Sequence, residues 1–114
     1  VLHTSANLLD DPTEPTQALE VPIPADILSY EVYWIRTVNE GPATVWLQVY
    51  DSLLVTPPAV NIFPPTCIRA GETQLIPAGV RCAIAIAALA SLNENGTGVP
   101  TVALWVDFAY DVGL

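Results

Sequence analysis

The sequence predicts an all-β fold, a single-domain antiparallel β-sandwich of jelly-roll type. Three observations predict it. Hydrophobic residues make up 52% of the 114-residue chain, and they recur at period two rather than at helical spacing. Strand-sized runs rich in β-branched and aromatic residues are separated by clusters of Pro, Gly and Asn, the spacing of a sandwich or jelly roll. The length gives room for one domain and one core, burying roughly 65% of the unfolded surface, and no repeat at a fixed period divides it.

Residues 1–26 stand apart. Asp11, Pro12, Glu14, Pro15, Pro22 and Pro24 oppose helix and most sheet pairing. The segment reads as an extended Pro-rich N-terminal arm that lies along the body or reaches a neighbour, ahead of a sandwich domain over 27–114. Gln17 to Val21 is long enough for a short edge strand, with Leu19 and Val21 as its candidate interface residues.

Ile27 to Val38 is the first strong strand, and strict alternation places Tyr33 and Ile35 on one face and Trp34 and Arg36 on the other. Asn39 to Ala43 is a turn by its Asn, Gly and Pro content. Thr44 to Asp51 then returns as a strand. A hairpin symmetric about Gly41 sets Ile35 opposite Leu47 and Arg36 opposite Trp46. Its core face carries Tyr33, Ile35, Val45, Leu47 and Val49; its other face carries Trp34, Arg36, Trp46, Gln48 and Tyr50. Aromatics mixed with Arg and Gln are typical of protein interfaces, so this face reads as an interface, as one covered by a loop or the arm, or as one exposed by chance.

Pro pairs at 57–58 and 64–65 punctuate a short strand over Val60 to Phe63. Thr73 to Ile76 is a strand stopped by Pro77-Ala-Gly79, and Val80 to Ala88 is another. Alanine content alone would suit a helix there, but the alternation and the preceding Gly favour strand, and its row of alanines suits close cover by a second layer. Ser91 to Pro100 is the most polar loop. Thr101 to Tyr110 closes the fold, with Val102, Leu104, Val106, Phe108 and Tyr110 inward and Trp105, Asp107 and Ala109 outward.

Charge narrows the functional classes. There is no lysine, and three arginines face twelve acids for a net charge of −9. Phosphate binding needs clustered cations, so nucleic acid and anionic membrane surfaces are disfavoured. No apolar run approaches the ~20 residues of a membrane-spanning helix. The charged fraction of 13% is about half the usual share, which favours oligomerisation or docking over a lone monomer.

No catalytic set, metal site or cofactor motif is legible. His3 is the sole histidine and lies in the arm, so Ser-His and Cys-His chemistry lack a base. Glu31, Asp51, Asp107 and Asp111 lie in or beside strands and offer a carboxylate pair only weakly. The 93–97 loop and Asp10-Asp11 offer oxygens for Ca²⁺ without the spacing of an EF-hand; Asn95-Gly96 reads more simply as a turn. Cys67 and Cys82 read as buried thiols or as a disulfide across a symmetric hairpin, a loop near the ~15 residues worth roughly 3 kcal/mol.

Val38-Asn-Glu-Gly-Pro-Ala-Thr-Val-Trp-Leu-Gln-Val-Tyr-Asp51, Ile68-Arg-Ala-Gly-Glu-Thr73 and Pro77-Ala-Gly-Val-Arg81 carry a resemblance. Over residues 28 to 110 the chain resembles small β-sandwich structural proteins of tailed bacteriophage virions, of the capsid decoration (cement) type. The resemblance implies a mechanical role. Copies, as a homotrimer, would sit on the outer capsid surface and clamp neighbouring subunits of the major capsid protein, without nucleic acid, membrane or cofactor. The alternative is a carbohydrate- or receptor-binding module of a tail fibre or extracellular protein, with Trp34, Trp46, Trp105 and Tyr50 stacking on sugars.

Overall fold

The chain folds as one long antiparallel ribbon rolled upon itself. The computed structural model describes residues 1–9, 18–53 and 61–113. Within them lie eight strands: β1 (Leu2–Leu8), β2 (Leu19–Pro22), β3 (Ser29–Val38), β4 (Val45–Tyr50), β5 (Thr66–Ile68), β6 (Thr73–Cys82), β7 (Ala85–Ser91) and β8 (Leu104–Gly113). The first half of the chain pairs with the second in reverse order: β1 with β8, β2 with β7, β3 with β6 and β4 with β5. Two further pairs, β3 with β8 and β4 with β7, join these into two four-stranded sheets. Sheet I runs β1-β8-β3-β6 and sheet II runs β2-β7-β4-β5. Eight antiparallel strands in this order form a jelly-roll sandwich.

The core lies between the sheets. Leu8, Val32, Ile35, Leu104, Val106 and Phe108 of sheet I meet Val45, Leu47, Val49, Ile68, Ile86 and Ala88 of sheet II. Their alternation along each strand is the period-two signal of the sequence made physical. Phe108, the largest fully buried side chain, sits on β8 between β1 and β3.

Rolling the ribbon changes which strands are neighbours. The turn after Val38 does not close a hairpin, because β3 belongs to sheet I and β4 to sheet II. It is an arch between the sheets, and Asn39 holds it. The Asn39 amide, 1% exposed, donates to the carbonyls of Ala43 at 2.9 Å, Ile68 at 3.1 Å and Arg69 at 3.1 Å, and its Oδ1 accepts from Gly41 N–H at 3.0 Å. Gly41 fits a tight space: a Cβ there would lie 3.0 Å from Cβ of Val102 and 3.3 Å from Asn39 Oδ1.

Several strand boundaries also differ from the sequence-based expectation; β8 begins at Leu104 rather than Thr101, leaving Val102 41% exposed. Pro77 and Gly79 do not stop β6, which runs through them to Cys82. β6 is the edge of sheet I, where a missing N–H is tolerated. The expected strand over 80–88 is instead broken at Ala83-Ile84, where the chain leaves sheet I for sheet II. Asp51 fixes that crossing: its carboxylate accepts from the N–H groups of Ala83 at 2.9–3.0 Å, Ile84 at 2.8 Å and Ala85 at 3.2 Å. Of the expected strand at 60–63, Val60 lies outside the described residues, and Asn61 makes only an isolated bridge to Tyr50.

The segment expected as an arm supplies the edge strands β1 and β2, one to each sheet. The expected boundary at 26/27 therefore separates two strands from the sheets they complete. Residues 10–17 of that segment lie outside the described residues.

Candidate functional site: the outer face of sheet I

The two outer faces of the sandwich are unlike. That of sheet II is covered by the chain itself. Gln48 is 2% exposed; its Nε2 donates to Ser91 Oγ at 3.2 Å and the Glu94 carbonyl at 3.1 Å, and its Oε1 accepts from Asn61 Nδ2 at 2.7 Å. Beside it Tyr50, Ala87 and Leu89 form a small buried cluster against Ala18. β7 is accordingly buried along its whole length, the close cover its alanines require. Among the described residues Trp46 and Cys67 are half-buried on this face, and Glu20 and Pro22 on the edge strand β2 are exposed.

The outer face of sheet I carries the exposed aromatic surface. A bulge between Val32 and Trp34 adds Tyr33 to it. Tyr33 has no opposite residue on β8, and on β6 it faces the pair Ala78 and Gly79, the latter at φ 60. An extra residue shifts the alternation by one. Tyr30 and Val32 point inward before the bulge, and Ile35 and Thr37 after it, while Tyr33 and Trp34 both lie outside. Strict alternation had placed Tyr33 in the core; it is 42% exposed.

Cross-strand register then assembles the surface. Trp105 lies beside Val38, Arg36 between Asp107 and Leu75, Trp34 between Ala109 and Pro77, and Glu31 between Asp111 and Arg81. The Arg36 guanidinium stands 6.0 Å from the Trp105 ring centroid, a cation–π contact. The His3 ring meets Trp34 edge-on at 5.5 Å, and its Nδ1 lies 3.0 Å from Asp107 Oδ2. Tyr33 donates to Asp111 Oδ2 at 3.1 Å, and this bond raises the Tyr33 phenol above its usual range. Arg81 donates to Glu31 Oε1 at 2.8 Å. Shallow depressions flank the face, one lined by Asn7, Val38, Glu40, Ala103 and Trp105, the other by Glu31, Tyr33, Gly79, Val80 and Arg81. Each ring thus has a neighbour on the face, and Leu75, 65% exposed, adds apolar surface beside them.

The residues proposed from sequence scatter across the molecule. Trp34 and Arg36 share the open face, whereas Trp46, Gln48 and Tyr50 lie on the other sheet. The single five-residue face does not form, because β3 and β4 do not pair. Leu19 and Val21 point into the core, Leu19 at 6% exposure and Val21 packed against it, so they are not surface anchors. Tyr33, His3 and Leu75 belong to the open face although the sequence pattern assigns none of them to it. The Pro-Ala-Gly run opposite the strongest strand is the one signal that could have suggested a bulge; the β1–β8 pairing that delivers His3 left no local trace.

The remaining candidates resolve into structural roles. Cys67 and Cys82 are free thiols and the expected bridge does not form, since β5 and β6 lie in different sheets. Cys82 is wholly buried, and burial, with the charge of Asp51, pushes its thiol up to about 12. Glu31, Asp107 and Asp111 reach the open face, each bonded to the partner just described, while Asp51 caps the β6–β7 crossing. The loop at 93–97 is closed on itself: Asn93 Nδ2 donates to the Thr97 carbonyl at 3.0 Å and Thr97 Oγ1 to Asn95 Oδ1 at 2.7 Å. Among the described residues no three His, Cys, Asp or Glu side chains converge to hold a metal ion. Asp10 and Asp11 lie outside them. Comparison with protein-family models, curated proteins and solved structures gave no match.

Proposed function

We propose that the protein is a virion structural component of the capsid decoration type, which stabilises a phage head by docking the outer face of sheet I across neighbouring capsid subunits. The observation that supports this reading is the contrast between the two sheets. One outer face is largely covered by its own chain, with Trp46 half-buried there, and the other sets half-buried Trp34 and Trp105 beside exposed Tyr33 and Leu75 around Arg36. Aromatics and arginine held in place by neighbours are the usual anchors of an interface. Docking many symmetric copies makes such an array strong even when each contact is modest.

Cosedimentation with phage heads tests the proposal. Wild-type protein pellets with the heads; Trp105→Ala and Trp34→Ala, which remove half-exposed rings without touching the core, reduce the bound fraction at least tenfold, the effect of a truncated hot-spot residue of about 1.4 kcal/mol or more. Binding unchanged in both variants refutes it. The same rings support one second reading, a sugar-binding platform. A glycan array separates the two, since a decoration protein gives no glycan-dependent signal.

A further inference from the structure

Among the described residues four strands lie at sheet edges: β1 and β6 in sheet I, β2 and β5 in sheet II. An open edge offers unpaired N–H and C=O groups to any passing strand, and proteins normally blunt it. Three of these edges are blunted. β6 carries Pro77 and the Gly79 bulge, β2 has four residues and ends in Pro22, and β5 has three residues. Among the described residues β1 has no such device. It is seven residues long and holds an unbroken register with β8 from Leu2↔Tyr110 to Leu8↔Leu104. It contains no Pro or Gly and, in a chain with twelve acids, none of them.

We infer that β1 is a self-pairing edge, by which two copies of this chain join their sheets I through antiparallel β1–β1 pairing about a two-fold axis at Ser5. The strand reads Leu-His-Thr-Ser-Ala-Asn-Leu from Leu2 to Leu8. In this register Leu2 faces Leu8 of the second copy, His3 faces Asn7, Thr4 faces Ala6 and Ser5 faces Ser5. A two-fold axis perpendicular to the sheet keeps core-side residues with core-side residues, so neither copy turns its pattern over. Leu2, 47% exposed, gains apolar cover, and no like charges are set opposite one another. In a chain of net charge −9, that freedom from acids points to a second copy as the occupant; pairing along β2 would bring Glu20 into the seam. The pairing goes beyond the docking proposed for the face of sheet I and does not depend on it.

Sedimentation of the full chain, with variants at Ser5, tests the inference. Wild type sediments as a dimer. Ser5→Lys sets two ammonium groups across the axis, while each faces Asp107 within its own copy, so the fold is kept and dimerisation weakens about fivefold. Ser5→Cys, in a Cys67→Ser background, brings the two thiols opposite at a Cα separation of about 4.5–5.5 Å, within disulfide reach. Mild oxidation then gives a covalent dimer, whereas His3→Cys, displaced from the axis, gives none. A wild type that stays monomeric at its highest attainable concentration, leaving the edge to a foreign strand, overturns the inference. So does equal cross-linking at His3→Cys and Ser5→Cys.

Discussion

Replacing Asp51 by alanine removes the acceptor for three consecutive N–H groups at the crossing from β6 to β7. The contacts to Ala83 and Ile84 are exposed and that to Ala85 is part-buried. Water can take over the two exposed donors, so their loss costs about 1 kcal/mol each, and the part-buried one somewhat more, giving about 3 kcal/mol in all. That is a large share of the roughly 5–15 kcal/mol that holds a domain folded. Urea unfolding followed by tryptophan fluorescence reads it as a lower midpoint at constant slope. Asp51→Asn keeps one acceptor oxygen and loses about half as much. A cost for Asp51→Ala below about 0.5 kcal/mol refutes the reasoning that this carboxylate holds the crossing.

Two further predictions concern buried groups. Cys82 keeps its proton to about pH 12 in the folded protein, against 9.0 for a free thiol. Between those values the unfolded chain binds fewer protons than the folded one, so stability is intact below pH 9 and falls as pH rises through this window. Burial raises Tyr110, and the bond to Asp111 raises Tyr33, in the same direction; melting temperatures across alkaline buffers decline, and Cys82→Ala shallows the decline. Asn39→Asp turns a buried carboxylate toward the carbonyls of Ala43, Ile68 and Arg69, costing about 3 kcal/mol or more at pH 7, with recovery on acidification seen by circular dichroism.

Much of the fold was legible because period-two alternation is a local property. Val45, Leu47 and Val49 alternate with Trp46, Gln48 and Tyr50, and the first set is in the core. What alternation does not carry is the partner of each strand. The turn at 39–43 has hairpin composition, yet its strands enter different sheets, because the Asn39 side chain satisfies the carbonyls of an arch rather than of a tight turn. The open face was half legible for the same reason. Trp34, Arg36 and Trp105 point outward by alternation, but Tyr33 required the bulge, and His3 required a pairing between residues 106 positions apart in the chain, His3 with Ala109. Gln48 and Tyr50 carry interface chemistry in sequence, and the chain's own loops take up that surface.

The most direct test of the central claim is an electron cryomicroscopy reconstruction of a phage particle carrying this protein. The account predicts a jelly roll seated with Trp34, Trp105 and Tyr33 of sheet I against the shell and the covered face of sheet II turned away. A protein absent from the particle, or seated on sheet II with those rings in solvent, contradicts it.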